Sequence, residues 1–423
     1  MFKAFLANNK TSINKSNYIW NIIAYSLNAC ESVVLIATVS RVIGIDYAGI
    51  ITIAFAISNL LLNVGKYSIR GFQTTDAKNQ FEFKTYFSFR VITVSIMIIS
   101  LLAFTGFKIL IGEYNPEKAI IIILLCLIYA VEAMEDVFLG HYQFLNRLDI
   151  ASKVFSIRWI AIFIVFCLSM VVQHNLILSL LLSLIISVVL DCILLFDANR
   201  LLKIKDISFR GRKIKELAIH CFPLFASAFL FFYVTTAPKL SIDKFLTEKE
   251  QACFGVISMP IFIVDLLSNF LYQPQIVKMS EEWKTNNIKS FLKRIIVQIL
   301  FITALTICCI LFANTFGCNL LSLIFNIDIS SYRLEFTLLM LASGEFALLA
   351  YSSMILAIMR KQLIHFIGIS VIAILALIGF NIITLRYGII GITIYYAVLI
   401  AIPTVTNLFS TAILILTRHK HTK

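Results

Sequence analysis

The stretch NRLLKIKDISFRGRKIKE, residues 199–216, decides how the rest of the chain reads. It carries seven of the 36 Lys and Arg residues and is the longest polar break in the second quarter of the chain. About 200 residues lie on each side of it, and each side divides into six apolar stretches. Residues 199–216 are therefore expected to be a basic linker. It would join an N-terminal six-helix lobe (1–198) to a C-terminal six-helix lobe with a short tail (217–423).

Composition supports a membrane protein. Of 423 residues, 60% are hydrophobic and the mean hydropathy is +0.92. A water-soluble chain is about half apolar. The excess falls in blocks of roughly 20 residues, the length a helix needs to cross ~30 Å of hydrocarbon. No strand-length alternation is present, which argues against a β-barrel. The expected spans are 17–40, 44–65, 88–111, 117–140, 154–173, 176–198, 217–238, 251–272, 291–313, 334–358, 363–385 and 389–416. Residues 173–175 and 386–388 are too short for anything but helix hairpins. No short apolar segment with a cleavage site precedes the first span, so that span is expected to remain as a helix.

The net charge of +13 would suggest nucleic acid in a soluble protein, but here the basic residues cluster between spans. With the N-terminus placed inside, 28 Lys and Arg fall on the inner side and 8 on the outer side. Both termini are expected to be cytoplasmic. A faint echo links the halves: GIITIAFAISNLLLN at 49–63 matches GVISMPIFIVDLLSN at 255–269 in six of fifteen positions. This sets the second span over the eighth, as two parallel six-span repeats require.

Seven carboxylates fall inside the expected spans: Glu31, Glu132, Glu135, Asp136, Asp191, Asp265 and Glu345. Each costs about 2.5–3.5 kcal/mol at mid-depth, so such groups face the helix bundle or a wet cavity. Glu31, Glu132, Asp136, Asp265 and Glu345 are the candidates for coupling to an ion or proton. The plain alternative is a protonated or hydrogen-bonded packing role. Arg90 and Arg158, near span ends, read as side chains reaching out to lipid phosphates. Pro223, Pro260 and Pro403 fall in spans and either kink them or only shape packing. The nine cysteines form no CxxC pair and read as small core residues. No phosphate-binding glycine loop, zinc-protease motif or nucleophile-elbow motif occurs, which removes those enzyme classes.

Four segments then stand out in order: SRVIGIDYAG at 40–49, RGFQTTD at 70–76, APKLSIDKFL at 237–246, and YQPQ at 272–275 followed by EEW at 281–283. Their order and spacing on a twelve-span layout resemble the Wzx-type flippases of bacterial polysaccharide synthesis, in the MATE/MOP transporter superfamily. The resemblance implies an all-α polytopic membrane protein whose two six-helix lobes are related by a pseudo-twofold along the membrane normal. It implies, too, a non-enzymatic activity: an undecaprenyl-pyrophosphate-linked oligosaccharide, an O-antigen or capsule repeat unit, would be turned from the inner to the outer leaflet by alternating access. No cofactor is implied. The implied partners are that lipid-linked sugar, the membrane lipids and the polymerase and other assembly proteins. The expected location is the bacterial cytoplasmic membrane.

A pyrophosphate cannot cross hydrocarbon bare, and Arg or Lys in a wet cavity lower that barrier through charge-assisted hydrogen bonds. Arg41, Arg70 and Lys239 are the expected phosphate contacts, with Asp243 holding Lys239 from one helical turn further on. Two alternatives stay open. The intramembrane acids would also suit a cation-coupled small-molecule antiporter of the same superfamily. A membrane-embedded polymerase or glycosyltransferase fits less well, because the longest expected outer loop has only about 20 residues.

Overall fold

The computed structural model describes residues 3–7, 13–76, 80–204 and 213–420; the centre of the expected linker, 205–212, lies outside the described residues. Among the described residues there is no strand. The first helices are α1 (Lys3–Ala7), α2 (Ile13–Val42), α3 (Ile45–Lys66), α4 (Ile69–Thr75), α5 (Phe83–Leu110), α6 (Pro116–Phe144), α7 (Leu148–Gln173), α8 (Leu176–Leu202) and α9 (Ile214–Phe245). They are followed by α10 (Glu248–Ser258), α11 (Ile263–Tyr272), α12 (Ile276–Lys284), α13 (Ile288–Phe312), α14 (Cys318–Phe325), α15 (Arg333–Ile358) and α16 (Gln362–Lys420).

Among the described residues, ten helical stretches are long and apolar enough to cross a bilayer. The protein is a multi-pass membrane protein. Helix α6 is as long as the others, but Glu132, Glu135 and Asp136 in its second half keep it out of that apolar class.

Local chemistry sets many of the boundaries. The side chain of Asn115 accepts the Lys118 amide at the start of α6, with Pro116 at the first helical position. At the α7–α8 turn, His174 is left-handed (φ 50°) and Asn175 caps α8 by accepting the Leu178 amide at 3.0 Å. Thr247 and Glu250 form a reciprocal capping box on α10. Pro260 sits in a 3-10 turn, Met259–Phe262, that separates α10 from α11. The expected loop after residue 313 is instead largely helical: a π turn, Ala313–Gly317, carries the chain on into α14.

The last helix contains the second hairpin. Gly388 has φ 58° and ψ −148°, a conformation essentially reserved for glycine. The Tyr395 hydroxyl donates to the Leu375 carbonyl at 2.8 Å, although 20 residues separate them. An unbroken helix would hold those residues ~30 Å apart, so the chain folds back on itself at Gly388.

The chain forms two compact units, residues 1–232 and 233–423, and the boundary falls inside α9. In the first, α6 is central and packs against α3, α5, α7 and α8, while α2 packs on α7. Its apolar core joins Ile69, Phe81, Tyr86, Phe89, Val137, Tyr142, Val154 and Leu194 to Leu217 and Cys221 at the start of α9. In the second, α15 is central, against α11, α13 and α16. Its core includes Val264, Tyr272, Phe291, Ile302, Ala347, Tyr351 and Ile355. Hydrocarbon supplies no water-exclusion force between helices, so close packing and polar contacts must hold each unit together.

Candidate functional site

The first unit encloses a network of charges built on one face of α6. Glu132, Glu135 and Asp136 are three and four residues apart, which sets all three on adjacent strips of that helix. All are buried. Bases reach them from three neighbouring helices and one short turn of helix. Lys66, the last residue of α3, donates to Glu132 Oε1 at 2.8 Å. Arg158 of α7 meets Glu135 Oε2 at 2.8 Å and Glu132 Oε2 at 3.4 Å, and the Trp159 indole donates to that same Glu132 oxygen at 3.0 Å. Arg90 of α5 meets Asp136 Oδ2 at 2.7 Å and donates to the Gly65 carbonyl at 2.7 Å. Arg70 of α4 meets Asp136 Oδ1 at 3.3 Å and donates to Gln143 Oε1 at 2.9 Å.

Glu31 of α2 completes the group. It accepts from the Tyr129 hydroxyl at 2.8 Å and from Asn28 at 2.9 Å, and its charged neighbours are Glu132 and Lys66. Asp191 of α8 lies buried near Arg158 and Glu135, with its Oδ1 lacking a hydrogen-bond partner.

The four bases differ in exposure. The side chains of Arg90 and Arg158 are 0% exposed, while those of Lys66 and Arg70 are each 33% exposed. The two half-open bases line a cavity of about 300 Å³ together with Asn21, Asn28, Glu132 and Gln143. Gly140 makes room for this wall. A Cβ there would lie 3.1 Å from Arg70 Cγ and 2.4 Å from Gln73 Oε1. A larger cavity of about 500 Å³ adjoins Gln73, Asp76, Lys84 and His141. Asp76 there accepts from the Gln80 and Phe81 amides and the Tyr86 hydroxyl, and Lys84 pairs with Glu82.

The structure brings Arg70, Glu31, Glu132 and Asp136 of the expected site residues into one cluster. Arg41, ten residues beyond Glu31 on α2, is exposed. Lys239, Asp243, Asp265 and Glu345 belong to the second unit. Lys239 and Asp243 are half-buried one turn apart on α9, which continues through both. Asp265 on α11 and Glu345 on α15 each keep one buried carboxylate oxygen without a hydrogen-bond partner.

Two expectations are corrected. Arg90 and Arg158 do not reach out to lipid; both are fully buried counter-charges of the α6 acids. Lys66 was missed, although its place four residues before Arg70 is a usable signal, since it closes the apolar helix that Arg70 follows.

No family model and no curated protein matches this chain. Solved structures do. An inward-facing multidrug resistance MATE family transporter of the MOP superfamily aligns over 95% of this chain and 99% of its own, with a TM-score of 0.67 at 12% identity. The lipid II flippase MurJ, in an inward closed conformation, aligns over 93% of this chain and 87% of its own, with a TM-score of 0.66 at 13% identity. A MOP superfamily transporter from Pyrococcus furiosus, described as having a binding pocket of reversed polarity, aligns over 99% and 98% with a TM-score of 0.51 at 12% identity. Likeness at this identity is a likeness of fold: the chain has the all-α, MATE-like fold of the MOP superfamily.

Proposed function

We propose that the protein is a flippase of the Wzx type, made of two six-helix lobes joined by the basic linker, 199–216. On this reading it turns an undecaprenyl-pyrophosphate-linked oligosaccharide from the inner to the outer leaflet of the bacterial cytoplasmic membrane by alternating access, with both termini cytoplasmic. The observation that carries the reading is the pair Lys66 and Arg70. Both are one-third exposed to a cavity while every acid they touch is buried. Two bases four residues apart, facing water inside a membrane domain, suit a diphosphate headgroup. A fold shared with a lipid flippase is consistent with it. Arg41 and Lys239 serve as further phosphate contacts, with Asp243 positioning Lys239, and Glu31, Glu132, Asp136, Asp265 and Glu345 are the candidates for ion coupling.

One observation favours a second reading, a cation-coupled antiporter. Asp265 and Glu345 keep carboxylate oxygens without hydrogen-bond partners in the second unit, as a site awaiting a proton or cation would. The test is transport by the purified protein in liposomes. Lectin accessibility of a prenyl-pyrophosphate-linked oligosaccharide should rise with the wild type, and should fall at least tenfold with Lys66→Ala or Arg70→Ala. Movement of a fluorescent organic cation instead, with the lipid-linked sugar immobile, would replace the flippase by the antiporter.

A further inference from the structure

We propose that the first unit couples anion binding to the uptake of one proton: a diphosphate draws Lys66 off Glu132, and the carboxylates left behind take a proton in its place, whereas Arg70 leaves Asp136 with no proton moved. The inference rests on the reading of the cavity as a diphosphate site.

The asymmetry follows from what stands behind each base. Asp136 has two bases to itself. When Arg70 turns to the anion, Arg90 remains at 2.7 Å, fully buried and, among the described residues, paired with no other acid. One acid and one base stay in balance. Glu132 is different. When Lys66 leaves, the remaining base in contact is Arg158, and Arg158 is already closer to Glu135, at 2.8 Å against 3.4 Å. Two buried carboxylates then share one guanidinium.

The other groups around Glu132 deepen that deficit. Glu31 from α2 and Asp191 from α8 add acids to the cluster, and neither is in ion-pair contact with a base among the described residues. Trp159 of α7 and Tyr129 of α6 supply hydrogen bonds and no charge. On α5 and α4 the bases Arg90 and Arg70 face Asp136. An uncompensated charge held away from water is expensive, so such a group neutralises. Glu132 lines the cavity, and its Oε1 is the oxygen that Lys66 vacates, so cavity water can deliver the proton there. The coupling is reciprocal: a proton on Glu132 releases Lys66, and anion binding tightens as pH falls.

The experiment is calorimetric titration of the purified, full-length protein in nanodiscs with inorganic pyrophosphate and with farnesyl diphosphate. Each titration is run in buffers of low and high ionisation enthalpy, so that the heat reports protons taken up. Diphosphates bind protons themselves, so the quantity read is the difference between wild type and Glu132→Gln. The expected difference is about one proton per anion. Arg70→Gln should bind more weakly and keep that proton. Lys66→Gln should bind more weakly and lose it, which tests the idea even if Glu132→Gln does not fold. Equal proton uptake in wild type and Glu132→Gln, or the same loss in both base variants, overturns the proposal and leaves the diphosphate site standing. Absence of an isotherm with either diphosphate overturns the site itself, and the proposal with it. Farnesyl diphosphate binding tenfold tighter than pyrophosphate assigns the site to a lipid headgroup; equal affinities assign it to free diphosphate.

Discussion

Arg158 shows what a single buried charge does in this molecule. Removing one partner of a buried pair typically costs about 3–5 kcal/mol, because the other charge stays in low dielectric. We expect Arg158→Leu to lower the yield of monodisperse protein sharply, as followed by fluorescence-detected size exclusion. Arg158→Leu combined with Glu135→Leu should recover part of that yield, since both halves of the 2.8 Å pair are then gone. No recovery would mean that Glu132 is the acid that depends on Arg158. Gly140 is the second test at this scale. Gly140→Val sets a side chain against Arg70 Cγ and Gln73, so pyrophosphate affinity should fall several-fold while the protein still folds. Why Arg158 was misread from sequence is a matter of helix length. Helices α5 and α7 start at Phe83 and Leu148, several residues before the expected starts at 88 and 154. Arg90 and Arg158 therefore sit ~10 Å and ~15 Å inside their helices, too deep to reach a headgroup.

At the scale of elements, the spans were legible because apolar runs of bilayer length have few other uses. The turn at His174 and Asn175 was legible for the same reason. Less legible were the pieces between spans. Helix α4 is seven residues long with only two large apolar residues, Ile69 and Phe72, and nothing in its composition separates it from a loop. Its register still matters, because it alone carries Arg70 to Asp136. The π turn and α14 after Phe312 were also hidden, since the chain there stays apolar past one bilayer thickness. The hairpin at Gly388 allows a direct test. A side chain at φ 58° and ψ −148° is strained by about 1–3 kcal/mol, so Gly388→Ala should lower the thermal midpoint in detergent. An unchanged midpoint would show that the turn relaxes to another conformation. Tyr395→Phe removes a single hydrogen bond, from the Tyr395 hydroxyl to Leu375, and should cost only about 1 kcal/mol.

For the whole molecule, orientation is the open quantity that the charge count addresses. His174 and Asn146 are exposed at opposite ends of α7. In intact cells of a host strain with the native cysteines replaced, a cysteine at position 174 should react with an impermeant maleimide, and one at 146 should not. The reverse pattern would put both termini outside and leave the cavity facing the wrong leaflet for the proposed cargo. The composition of α6 has a further consequence, for how the chain is made. Three acids in one span cost about 7–10 kcal/mol if each is taken at about 2.5–3.5, which a lone helix entering the bilayer does not recover. Lys66, Arg70 and Arg90 have been synthesised before α6, but Arg158, the counter-charge of Glu135, emerges only with α7. Ribosome-bound chains that end before residue 158 should therefore leave α6 outside the bilayer, and longer ones should bring α6 and α7 in together. Biogenesis then has a fixed order: the most acidic span waits at the translocon for the cation that follows it.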